Sequence, residues 1–230
     1  TDNQIYPRKG SDIAFSVSLP PPFSLFDNKD YEHLANNPAA GNYKEQLQEK
    51  YRWIEYHKWK FKSRTYTALS GGNKCFVLMT RVEFGILGSY NKHKKSPFET
   101  FYVGGDGTSG YTSTYATETI GMRGYDNGSL TPNGYSGYAY DRFTMELRYP
   151  FMLNNSTNIY GLVFAEGGNA WNSVKKFNPF DMKRSLGAGV RIFLPMVGLL
   201  GIDWAYGFDD VFGHKTYGGS HFHFILGQEF

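Results

Sequence analysis

The chain has no run of about 18 or more apolar residues, so it holds no transmembrane helix. Residues 1–20 lack the basic, apolar and small-residue succession of a secretory signal peptide, and Thr1 is read as the start of a mature chain or of a fragment. A single cysteine, Cys75, excludes an internal disulfide and leaves the redox compartment open. A net charge of +3 is too small to argue for nucleic acid. No internal repeat and no low-complexity tail is found. Neither a G-x-S-x-G elbow nor an H-E-x-x-H motif occurs, although a catalytic site dispersed over several strands leaves no such local mark.

What is abundant points to β-structure. Aromatics make up 18% of the chain, which suits pleated, half-buried surfaces, and its 27 glycines suit turns and bulges. The mean hydropathy of −0.47 reads as soluble, but a membrane barrel whose strands alternate also averages to a polar value.

Alternation with a period of two recurs along the chain. Ile13, Phe15, Val17 and Leu19 alternate with small or polar residues. In "KWKFKSR", Lys58, Lys60, Lys62 and Arg64 share one face, and Trp59 and Phe61 the other. Arg81 and Glu83 oppose Val82, Phe84 and Ile86. Arg142, Thr144, Glu146 and Arg148 oppose Phe143, Met145, Leu147 and Tyr149. Residues 157–168 are apolar on both faces as far as Glu166. Further strands are read at 185–194, 200–208, where Asp203 falls on the polar face, and 220–230. About eight strands result, several long enough to span a bilayer, for which about 9–11 tilted residues suffice.

Connections alternate in length. Those at 70–73, 151–156 and 195–196 are short, while 20–50, 89–137, 169–182 and 209–219 are long. Short turns at one end and long loops at the other mark an antiparallel transmembrane β-barrel. A β-sandwich is the alternative architecture.

Four local signals have bland readings. Gly105-Asp106-Gly107-Thr108-Ser109-Gly110 matches G-x-G-x-x-G, but no helical period follows it to receive a pyrophosphate. Its glycines are expected to permit tight backbone packing. The lysines and rings of 58–64 point to opposite faces, which defeats joint use on a nucleic-acid strand. His221 and His223 share a face but have no spaced partners for a metal, and read as a lumen-facing pair. Asp209-Asp210 reads as solvated loop.

"SPFETFYVGGDGTSG", "GMRGY", "GNAWN" and a terminal aromatic together resemble the BamA family of outer-membrane assembly proteins, in its Bacteroidetes-like form. "IYPRKGSDIAFSVSLP" is similar to a mid-barrel strand of that family. The resemblance covers essentially all of residues 1–230, as the C-terminal half of a sixteen-stranded barrel. It implies that the family's POTRA domains and N-terminal strands are absent here.

The most specific element is the loop motif, Val or Ile-Arg-Gly-Phe or Tyr in the family. It stands here as Met122-Arg123-Gly124-Tyr125, with a mild departure at its first position. In the family this long loop folds into the barrel and its arginine meets acidic wall residues. Glu146 in "MELRYP" and Glu166 in "FAEGGNAWN" match those positions. Parity independently turns Glu146 to the lumen, whereas the strand of Glu166 is apolar on both faces. An arginine fork can pair with a carboxylate in a way lysine cannot, and Gly124 can take a tight backbone conformation.

The resemblance also implies integral residence in the outer membrane of a Gram-negative bacterium. The implied function is assembly and insertion of β-barrel proteins, without bond chemistry, cofactor or metal. Client β-barrel proteins, accessory assembly lipoproteins, and outer-membrane lipid and lipopolysaccharide are the implied partners. In the family the last strand pairs weakly with the first, and this seam opens to offer a client an edge. Gly227 and Phe230 mark that strand here. Alternatives are a two-partner secretion pore of the same superfamily, a barrel lipase or protease, and a passive porin. A closed barrel of eight strands is filled by its own side chains, so a loop of nearly fifty residues requires a wider one.

Overall fold

The computed structural model describes residues 1–3, 6–72, 74–107, 116–154, 157–196, 198–214 and 217–226. Eight strands form one antiparallel sheet: β1 (Gly10–Ser18), β2 (His57–Ala68), β3 (Val77–Gly88), β6 (Ala139–Leu153), β7 (Asn158–Trp171), β8 (Lys183–Leu194), β9 (Gly198–Gly207) and β10 (Gly219–Leu226). They are ordered β1-β2-β3-β6-β7-β8-β9-β10, so each principal strand lies beside its neighbour in sequence. All eight strands read from alternation are present. Residues 227–230, at the end of the last one, lie outside the described residues.

The sheet buries many charged residues on its inner face, beside apolar clusters, and is apolar outside. Lys58, Arg81, Glu83, Arg142, Glu146, Arg148, Arg191 and Asp203 are buried. Leu186, Ile202, Trp204, Phe222 and Phe224 are exposed on the opposite face. β3 shows the period most simply, buried and half-buried residues alternating along its whole length. An apolar outer band over strands whose backbone groups are paired in ladders is what a bilayer demands. Among the described residues no helix is long and apolar enough to cross a membrane.

One proline is accommodated inside a long strand. Pro150 has no N–H to give a ladder, and the β6–β7 register slips between Pro150 and Met152. Among the described residues β1 pairs only with β2, and β10 only with β9. Residues of β1 are exposed on both faces.

The connections carry some regular structure that alternation did not reveal. Residues 20–56 include a helix, α1 (Tyr43–Lys50). The 89–137 loop contains β4 (Thr100–Val103) and β5 (Ala116–Ile120), a parallel pair. Such short strands carry too few residues for a period, and tertiary packing supplies what local sequence lacks. Phe101, Val103 and Ile120 join Leu87, Tyr140 and Val211 in a buried cluster between loop and wall.

Candidate functional site

The loop lies against the inner face of the sheet. β4 and β5 continue into a bridge in which Gly105 and Met122 exchange backbone hydrogen bonds of 3.1 and 3.0 Å. Gly104 and Gly105 both have positive φ, and a Cβ on Gly105 would overlap the Asn127 side chain. Of the G-x-G-x-x-G match, Gly105 thus serves backbone packing; Thr108, Ser109 and Gly110 lie outside the described residues. This bridge sets the position of the next four residues.

Met122 enters the apolar cluster and is buried. Arg123 is fully buried and reaches three strands. Its Nη2 donates to Glu146 Oε1 on β6 and to Glu166 Oε1 on β7, both at 2.7 Å. Its Nη1 donates to Asp203 Oδ2 on β9 at 2.9 Å. The backbone N–H of Arg123 donates to Glu166 Oε2 at 2.9 Å. The guanidinium carbon stands 3.4 Å from the centre of the Phe164 ring, a cation–π contact in a desolvated place. Burial alone would lower the pKa of this arginine, but Glu166, Glu146 and Asp203 outweigh it and raise the pKa above its ordinary value.

The carboxylates are themselves held. Arg148 donates to Glu146 Oε2 through Nε (2.9 Å) and Nη2 (2.7 Å). Arg142 Nη2 donates to Glu166 Oε1 at 2.8 Å, joined by the Thr144 hydroxyl at 3.1 Å. Arg191 forks onto Asp203 at 2.5 and 2.7 Å. Buried charges are tolerable only when paired and hydrogen-bonded, and here three carboxylates are each gripped by the wall and by the loop. To the two expected partners, Glu146 and Glu166, the structure adds a third, Asp203, because the register sets all three around one point.

Gly124 has φ +89°, and a Cβ there would lie 2.8 Å from Ser185 Cβ and 2.9 Å from Gly207 N. Its N–H donates to His223 Nε2 at 2.8 Å. Tyr125 is buried, and its hydroxyl donates to the Arg184 carbonyl at 2.7 Å. Burial pushes the Tyr125 phenol up to about 12, so it remains a donor at neutral pH.

Two further sets of contacts spread the docking across the sheet. On β5, Glu118 meets Lys60 (3.0 Å), Lys58 (3.2 Å) and Lys62 (3.8 Å), the lysine face of β2. On β10, His223 Nδ1 lies 2.5 Å from Asp106 Oδ1, and His221 Nδ1 lies 3.4 Å from Asp126 Oδ1. Among the described residues no group of three or more His, Cys, Asp or Glu is arranged to hold a metal ion.

The structure thus brings Met122, Arg123, Gly124, Tyr125, Glu146 and Glu166 into one place. Gly227 and Phe230 lie outside the described residues. Sequence reasoning missed Asp203, the arginines behind the carboxylates, and the link from His223 to Asp106 and Gly124. Parity had turned Asp203 and both histidines to the polar face. Nothing local paired them with the loop.

The family model of the Omp85 superfamily domain matches residues 1–230. The chain is similar to the outer membrane protein assembly factor BamA of Neisseria meningitidis serogroup B, 28% identical over 131 residues. That match covers 52% of this chain and 14% of the relative. Its fold is similar to that in the crystal structure of BamA from Haemophilus ducreyi lacking POTRA domains 1–3, with a TM-score of 0.60 at 18% identity. The likeness covers 97% of this chain and 39% of that one.

Proposed function

This chain belongs to the Omp85 superfamily and is an integral part of a Gram-negative outer-membrane β-barrel; from that premise we propose that it acts in inserting β-barrel proteins into that membrane. The observation that carries the reading is the docked tip, in which Arg123 joins Glu146, Glu166 and Asp203 on three strands. An ion-pair network inside a barrel orders a long loop in one place, and an ordered loop can brace the wall while an edge opens.

The chemistry is strand pairing rather than bond making. The seam would be carried by β10, followed in sequence by Gly227 and Phe230. A client strand added to that edge gains main-chain hydrogen bonds, the physics of β-augmentation. Client β-barrel proteins are the proposed substrates. Accessory lipoproteins and outer-membrane lipid, lipopolysaccharide included, are the proposed partners.

The test is insertion of an unfolded β-barrel client into liposomes by the purified full-length protein, compared with its Arg123→Ala variant. We expect the variant to slow insertion at least tenfold. Full insertion by a variant whose loop is demonstrably undocked would overturn the role of the tip. Steady ion conductance or translocation of a soluble passenger, without client insertion, would favour a secretion pore of the same superfamily.

A further inference from the structure

Three contacts join the loop tip to the last described strand and the residues leading into it. Asp126 N–H donates to the Tyr217 carbonyl at 2.9 Å. His221 faces Asp126 at 3.4 Å. The third contact is the most buried: His223, about 2% exposed, accepts the N–H of Gly124 at Nε2.

That acceptance fixes the tautomer. A ring nitrogen that accepts an N–H carries no proton, so in the neutral ring the proton sits on Nδ1 and is donated to Asp106 at 2.5 Å. Asp106 lies on the opposite limb of the loop, beside the Gly105–Met122 bridge. One imidazole therefore holds both limbs. Its position in the ladder completes the argument, because His223 is the register partner of Asp203, the carboxylate that Arg123 reaches on β9. Arg123 and Gly124, adjacent in sequence, are anchored on adjacent strands at the same rung.

We propose that His223 is a positioning residue that clasps the loop tip to β10, so that undocking of the tip and release of the last strand occur as one event. The proposal rests on the reading of β10 as the moving edge of an insertase. Withdrawal of β10 removes the acceptor from a buried Gly124 N–H, and a buried donor without an acceptor is disfavoured. The loop must follow or reorganise. Such coupling is reciprocal by thermodynamic necessity, so a change on either side must be felt on the other.

Hydrogen–deuterium exchange of the full-length protein in lipid nanodiscs tests this. His223→Ala is expected to speed exchange at least tenfold in two separate stretches, 219–226 and 104–107 with 122–126. Asp106→Asn, a loop change, must raise exchange in 219–226, and it reads the same coupling should His223→Ala fail to fold. His223→Gln, which retains an acceptor near the Nε2 position, should restore protection at 122–126. Acceleration confined to the mutated side in both variants overturns the clasp, as does failure of glutamine to rescue.

Client insertion measured on the same preparations separates the two readings. Reciprocal exchange together with no client insertion by the wild-type protein upholds the clasp and sinks the insertase. One-sided exchange with insertion lost in Arg123→Ala overturns the clasp alone.

Discussion

Arg123 meets Glu166 twice, its Nη2 donating to one carboxylate oxygen at 2.7 Å and its own backbone N–H to the other at 2.9 Å. The side-chain bond fixes where the guanidinium sits, and the backbone bond fixes the peptide that carries it. Together they place the chain so that the next residue, Gly124, lies against Gly207, whose added Cβ would fall 2.2 Å from the Gly124 carbonyl oxygen. Charge pairing and close backbone approach are thus one geometry, and each can be perturbed separately.

Arg123→Lys keeps the charge but not the reach. A lysine ammonium is a compact point charge and cannot span carboxylates on β6, β7 and β9 from one position. The loop is expected to become sensitive to protease in the lysine variant and more so in Arg123→Ala. Removing one partner from a buried ion pair costs about 3–5 kcal/mol. Limited proteolysis of folded protein, read by cleavage within 89–137, measures the order wild type, lysine, alanine.

Gly124→Ala leaves every charge in place yet should undock the tip. Alanine is strained at φ +89°, and its methyl group would press on Ser185 and the Gly207 backbone. We expect a lower melting temperature of the barrel, followed by heat-dependent gel mobility, and loss of protection at the tip. An unchanged melt together with an unchanged cleavage pattern would contradict the close packing.

Asp203→Asn tests a carboxylate that sequence reasoning did not assign. The change takes the negative charge from between Arg123 and Arg191, both almost wholly buried. Leaving buried charge uncompensated costs about 3–5 kcal/mol. Destabilisation similar to that from Glu146→Gln is expected by thermal melting. Asp209→Asn, which loses the charge pairing with a largely exposed Arg184 but keeps an oxygen for the Arg184 backbone N–H, should change the melt little.

Glu118 gives the docking an acid limit. Burial alone would raise the pKa of its carboxyl, but Lys58 and Lys60 outweigh burial and hold it below the ordinary carboxylate range. A depressed pKa contributes stability that is present above the unfolded value and lost as pH falls through the folded one. Protease sensitivity of the β4–β5 segment should therefore rise as pH falls below the usual carboxylate range. Glu118→Gln should show part of that sensitivity already at neutral pH, a loss of about 1 kcal/mol.

Much of this architecture is legible in the sequence. Alternation located all eight principal strands and turned Lys58, Arg81, Arg142, Glu146 and Arg148 to the polar side, because a side chain's face depends only on its place in its own strand. The apolar stretch at 157–168 hid the orientation of Glu166, since a strand apolar on both faces has no period to read. β4 and β5 escaped for a similar reason. Each is too short to alternate and is stabilised by Phe101, Val103 and Ile120 packing against the wall.

Local order thus settles strands, faces and the membrane-facing character of the sheet, because each follows from neighbours two residues apart. Which carboxylates surround Arg123 is a different matter. Glu146, Glu166 and Asp203 are 23, 43 and 80 residues away along the chain, and no local pattern relates them. Their convergence, and the rung that Asp203 shares with His223, come from ladder register accumulated over β6 to β10. A slip of one residue in any of those ladders would turn a partner from the lumen to the lipid, so the site exists only in the assembled sheet.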